Sequence, residues 1–288
     1  MTPSWNLVAD LRDLWSYPFM VNAFRAGTIV AVLAGAMGWF MVLRRQSFAG
    51  HTLAVVGFPG AAGATLLGVA ATFGYFAFCV AAALVIAALP FGAGGHGQES
   101  AVTGTVQAFA LACGFLFVAL YKGFLSGMNT MLFGSFLGVT TTQVVVLLVI
   151  AAAALAVLTL IGRPLLFASI DPDVAAARGV PVRALSVVFL VLLGCAAAEA
   201  SQITGTLLVF ALLVMPAATA QALTANPRWS LPLTIVIGLA ATWLGLGVSY
   251  YTSGPLGFYV TTFAFGGYAI TRLAGLARFA GLTARGAA

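Results

Sequence analysis

VVVLLVIAAAALAVLTLI, Val144–Ile161, runs eighteen residues without a charge. At 1.5 Å per residue such a helix is roughly 27 Å long, close to the thickness of a bilayer's hydrocarbon core. Inside that core every backbone N–H and C=O must bond within the protein, which leaves helices or closed barrels. A barrel strand alternates apolar and polar side chains over about ten positions. This run does not alternate, so it reads as a helix that crosses a membrane.

The rest of the chain repeats the pattern. Apolar segments recur near 20–43, 51–71, 73–90, 101–121, 142–161, 184–200, 204–223, 231–250 and 257–273. Of 288 residues 62% are hydrophobic and only 18 are charged, and the mean hydropathy is +1.10. An ordinary soluble domain is excluded. The expectation is one all-α transmembrane bundle over residues 1–288, with about eight or nine spans. Residues 122–142, KGFLSGMNTMLFGSFLGVTTT, hold too short an apolar stretch to cross and carry four glycines. They read as a broken or re-entrant element, which is tolerated only where protein or a cavity surrounds it. Residues 1–16 mix Trp5, Leu7, Leu11 and Trp15 with Asp10, Arg12 and Asp13, the pattern of an amphipathic interfacial helix. No basic start precedes an early apolar stretch, so no signal peptide is read there.

Charge sets the expected orientation. With Arg44 and Arg45 in the cytoplasm, alternation also places Arg163, Arg178, Arg183, Arg228, Arg272, Arg278 and Arg285 there. Only Arg12, Arg25 and Lys122 fall outside. This bias predicts an outer N-terminus and a cytoplasmic C-terminus. The net charge of +6 is scattered singly at span ends and forms no stripe, which argues against nucleic acid. Cys79, Cys113 and Cys195 lie within apolar runs, without metal-ligand spacing. Gly60, Ala64 and Gly68 recur every four residues, and Gly134 and Gly138 form a GxxxG pair. Small faces of this kind let membrane helices approach closely.

One polar interval is locally well specified. In RPLLFASIDPDVAAARGVPVR, Arg163–Arg183, Asp171 suits a helix N-cap, Pro172 the first helical position and Asp173 the first turn. Arg178 sits at the far end, Gly179 suits the left-handed position after it, and Pro181 blocks extension. The spacing predicts a short helix between two spans. Two further ionisable residues stand out because a charge in or beside a span is costly: His51 and Glu199. Each has a plain alternative. His51 would cap the start of its span, and Glu199 would reach interfacial water.

Three stretches together resemble the permease subunits of ABC-type zinc/manganese/iron importers, the ABC-3 metal permease family. They are RRQSFAGHTLAVVGFPG (Arg44–Gly60), SIDPDVAAARGVP (Ser169–Pro181) and GTLLVFALLVMPAATA (Gly205–Ala220). The resemblance covers about residues 20 to 273. It implies a dimeric, multi-pass permease of a bacterial inner membrane, without enzymatic activity or a bound cofactor of its own. It also implies a separate cytoplasmic ABC ATPase that uses ATP, and an extracytoplasmic metal-binding protein. The cargo would be zinc, manganese or iron. On this resemblance 163–183 is the cytoplasmic coupling segment, with Asp171, Pro172, Asp173, Arg178 and Gly179 forming the helix that meets the ATPase. The family usually carries G-D-x-x-x-H in the second span. Here Gly50 is followed by His51 at the Asp position, and Val55 stands at the His position. His51 and Glu199 are therefore the candidate metal contacts. The only lysine, Lys122, has no GxxxxGK[ST] around it, so the chain holds no P-loop. A secondary transporter or channel using Glu199 is the competing reading. An intramembrane hydrolase is not supported, because neither HExxH nor GxSxG occurs.

Overall fold

The structure, a computed structural model, describes residues 15–88, 96–121, 132, 138–206, 209–252 and 254–285. These residues form ten helices and no strand. They are α1 (Pro18–Leu43), α2 (Ser47–Leu66), α3 (Ala71–Ala88), α4 (His96–Leu120), α5 (Thr141–Ile170), α6 (Pro172–Ala177), α7 (Val182–Thr204), α8 (Val209–Leu223), α9 (Pro227–Tyr251) and α10 (Leu256–Arg285). Each of the nine apolar segments thus corresponds to one long helix, and α6 is the predicted short one.

Six of these helices are long and apolar enough to cross a membrane by length and composition: α1, α3, the Ser100–Leu120 part of α4, α5, α7 and α9. Among the described residues, α8 is too short by that measure. The helix α2 is long enough, but glycines, alanines and a histidine dilute its apolar character. By composition it is therefore not among the six. The same small side chains let α2 pack at the centre, against α3, α4 and α7. Every residue from Thr52 to Ala64 is buried. The helix α1 packs on α5, α7, α8 and α9, and α7 on α1, α2, α3 and α5. These helices form a large hydrophobic core running from Met20 to Val260, with a smaller cluster of Ala61, Tyr75, Cys79 and Ala198 between α2, α3 and α7.

The α2–α3 contact shows what small residues do here. A Cβ on Gly60 would collide with the Gly74 carbonyl oxygen, and one on Gly74 would collide with that of Gly60. The two backbones touch directly, as membrane helices do where neither has a side chain in the way. Gly60 and Ala64 share this face as the sequence pattern suggests. Gly68 does not: α2 ends at Leu66, and Gly68 lies in the following turn at φ +72°. A left-handed residue cannot continue the helix, so the small-residue repeat stops one turn earlier than its spacing implies.

Other boundaries also move. The helix α5 continues past Arg163 and Pro164 to Ile170, nine residues beyond the apolar segment. It opens on Thr140, whose hydroxyl accepts from the Gln143 N–H at 3.2 Å. The helix α7 ends at Thr204 because Gly205 turns the chain at φ +80°. The proposed interfacial helix at 1–16, apart from residues 15 and 16, lies outside the described residues. So does most of the 122–142 element, including Gly134.

Candidate functional site

His51 lies at the fifth position of α2, one turn inside its start. It does not cap the helix: the N-cap residue is Gln46, and His51 Nδ1 is buried with no hydrogen-bond partner. The side chain is half-buried. Its ring meets Phe210 of α8 edge-to-face, with centroids 5.0 Å apart, and Phe48 lies at 6.4 Å. An imidazole nitrogen held between two aromatic rings, without a protein partner, can still act as a ligand or hydrogen-bonding group for a visitor.

Glu199 lies on α7 and is 0% exposed. Neither carboxylate oxygen has a hydrogen-bond partner. The interfacial-acid reading therefore fails within this chain: the side chain does not reach water. Leaving a carboxylate dry and unpaired is among the more expensive arrangements a fold can hold. Cys195, half-buried, stands one helical turn before it on the same face. No hydrogen bond joins His51 to Glu199. Among the described residues, no group of three or more His, Cys, Asp or Glu could hold a metal ion. The two candidates thus do not belong to a closed cage of three or more such ligands among the described residues.

Around Glu199 the structure adds polar residues that sequence reading did not single out. Gln202 Oε1 accepts from Thr72 Oγ1 at 3.0 Å and from Gln143 Nε2 at 3.2 Å, tying α7 to α3 and α5. Ser201 Oγ and Thr204 Oγ1 donate back to the carbonyls of Ala197 and Ala200. Thr206 Oγ1 is buried without a partner. Gly57 of α2 faces this seam: a Cβ there would lie 3.0–3.2 Å from Tyr75, Ser201 and Thr206. A signal was present in the sequence, since EASQITGT (Glu199–Thr206) places five polar residues among eight at the end of an apolar run. Nearer the start of α2, Thr52 Oγ1 donates to Gln107 Oε1 at 2.9 Å.

The short helix α6 has the caps its sequence predicts. Asp171 Oδ1 accepts from the Val174 N–H at 3.0 Å, and Pro172 occupies the first position. At the other end the Gly179 N–H bonds the Ala176 carbonyl at 2.9 Å, and the Val180 N–H bonds that of Ala175 at 3.0 Å. With Gly179 at φ +81°, this is a Schellman close. Ala175 alone is buried, and Pro172, Asp173, Val174, Ala176, Ala177 and Arg178 all face outward. The helix packs only lightly, on α5 and α7. Fixed ends on a helix with an open face make a rigid projection.

Comparison with known proteins agrees with this architecture. The profile of the ABC 3 transport family matches residues 16–272. The manganese import system permease protein ScaB of Streptococcus parasanguinis is 32% identical over 246 residues, covering 85% of this chain and 86% of its own. The chelated iron transport system membrane protein YfeC of Yersinia pestis is 29% identical over 252 residues, covering 88% of this chain and 85% of its own. Among solved structures, PsaBC from Streptococcus pneumoniae in complex with Fab shares the fold with a TM-score of 0.81. That match has 27% identity and covers 92% of this chain and 95% of the other.

Proposed function

This chain belongs to the ABC 3 transport family, and from that premise we infer that it is the membrane permease of an importer for a divalent transition metal ion. The relatives named for manganese and iron import support that cargo class, with manganese the first ion to test. The observation that carries the reading is α6. It is a doubly capped helix with one buried residue and an otherwise open face. Such a helix suits a partner that pushes on it. We assign that partner as a separate ABC ATPase on the cytoplasmic side, so that Asp171, Pro172, Asp173, Arg178 and Gly179 belong to the coupling helix of segment 163–183.

The remaining assignments follow from this one. The nine long helices serve as spans, α2 and α8 included, with the N-terminus outside and the C-terminus in the cytoplasm. Two copies form the permease, and an extracytoplasmic binding protein delivers the ion. His51 and Glu199 contact the ion in passage. Both hold buried polar atoms without protein partners, and a transit site has to release what it binds. Imidazole and carboxylate together suit a first-row divalent ion without selecting strongly among them.

The test is subunit dependence. Proteoliposomes containing the permease, the ATPase and the binding protein should accumulate Mn²⁺ only with MgATP. Vesicles holding the permease alone should neither hydrolyse ATP nor accumulate Mn²⁺. Uptake without any ATPase would make the chain a secondary carrier built around Glu199.

A further inference from the structure

We propose that Arg44 is a positioning residue that transmits movement of α6 to the His51 end of α2. The inference rests on the reading of α6 as the ATPase-facing helix and goes beyond it by naming the joint.

The geometry converges on one guanidinium. Arg44 Nη1 donates to Ser169 Oγ at 3.2 Å, and Nη2 donates to Ser186 Oγ at 2.6 Å. Ser169 lies two residues before the N-cap of α6, in the last turn of α5, and Ser186 lies near the start of α7. The two serines therefore flank α6 in the chain, one before it and one after. The third nitrogen, Nε, donates to Gln46 Oε1 at 3.1 Å, and Gln46 is the N-cap residue of α2. Phe189 of α7 supplies a ring face 5.4 Å from the guanidinium carbon. One side chain thus holds the ends of α5, α7 and α2 together.

The turn carrying it is short and closed. Only residues 44–46 separate α1 from α2. Within it the Arg45 N–H bonds the Val42 carbonyl at 3.1 Å, and the Gln46 N–H bonds that of Met41 at 3.0 Å. Arg45 is held at φ +57°, a conformation unfavourable for a residue with a Cβ. A turn fixed in this way passes displacement on instead of absorbing it. His51 follows five residues after Gln46 and sits against Phe210. A push on α6 that shifts Ser169 and Ser186 therefore acts on the start of α2 and on the ring that α2 presents. Arginine suits the task because its planar fork places separate donors in fixed directions. A lysine ammonium on a flexible stem does not.

The experiment uses the whole importer in proteoliposomes, with Mn²⁺ as the probe and two readings: Mn²⁺ moved and phosphate released. Arg44→Ala should assemble and hydrolyse ATP, while Mn²⁺ moved per ATP falls at least about fivefold, within the range typical of coupling residues. Arg44→Lys should behave like Arg44→Ala. The double variant Ser169→Ala/Ser186→Ala keeps the arginine and should lower the ratio by about two- to threefold. If Arg44→Ala does not insert, this double variant decides. A wild-type ratio in these variants, or hydrolysis and transport falling in step, overturns the proposal. Ala176→Pro serves as the companion arm, because proline within α6 breaks the helix itself. Loss of ATPase binding there, with a wild-type ratio in the Arg44 and serine variants, refutes the joint alone. Normal assembly and uptake in Ala176→Pro refutes the docking role of α6.

Discussion

The helices α2 and α6 are opposites. In α2 every residue from Thr52 to Ala64 is buried, and its neighbours decide where each side chain goes. In α6 a single residue, Ala175, is buried, and the ends are fixed by Asp171, Pro172 and Gly179 within the segment itself. One helix is held by the fold and the other by its own caps. On the proposed function the contrast matches two tasks: α2 would be held in place to present His51, and α6 would stay helical while open to a partner.

The hardest test of the α2 side is the close approach to α3. Gly74→Leu forces a side chain into the Gly60 carbonyl, and the two helices must separate. Overpacking of this kind costs about 1–3 kcal/mol where a core can adjust. Here backbone meets backbone, so the cost should lie at or above the top of that range. The expected outcome is near-complete loss of monodisperse protein by size-exclusion chromatography in detergent. A wild-type profile would show that α2 is not locked against α3.

A less disruptive change separates holding from function. His51→Ala removes a half-buried ring without a hydrogen-bond partner at Nδ1, so insertion and detergent stability should stay near wild type. Mn²⁺ uptake by the full importer should fall about tenfold or more, at least the scale of losing a residue that supports a metal ligand. His51→Asp, which restores the family's residue at this position, should keep part of the activity. Glu199→Gln should insert normally, and its uptake should fall less than that of His51→Ala. Wild-type uptake and metal preference in both His51→Ala and Glu199→Gln would remove the two residues from the path and leave selectivity with the binding protein.

The smallest effect belongs to α6. Asp171→Ala deletes one capping hydrogen bond, worth about 1 kcal/mol. The helix should fray without unfolding, and affinity for the ATPase should drop modestly in a pull-down titration. Asp171→Asn, which can still cap, should restore it. A loss as large as that expected from Ala176→Pro would mean Asp171 contacts the partner directly and is more than a cap.

Much of the fold is legible because hydrocarbon allows few choices. Runs such as Val144–Ile161 can only be helices, and all nine apolar segments correspond to long helices. Their ends are less legible. Pro164 does not stop α5, and Gly68 and Gly205 end α2 and α7 through a left-handed backbone that apolar composition does not reveal. Arg44 reads in the sequence as a topology signal at the end of a span. Gln46, Ser169 and Ser186, which accept from its guanidinium, lie 2, 125 and 142 residues away, and only folding brings the last two to it.

The sequence by itself determined that this is a helical membrane bundle with a short helix, within Asp171–Arg178, between two long ones. Both statements follow from interactions within one segment: hydrophobic length in the first, capping bonds between near neighbours in the second. The tertiary structure decided which polar groups are left without partners. His51 and Glu199 are equally conspicuous in the sequence, and neither alternative for them, helix cap or interfacial acid, could be dismissed from it. A helix that is apolar on nearly all sides carries no periodicity to show which face meets which neighbour. Only packing puts the imidazole against Phe210, seals the Glu199 carboxylate from water, and aligns Thr206, Ser201 and Tyr75 beside Gly57.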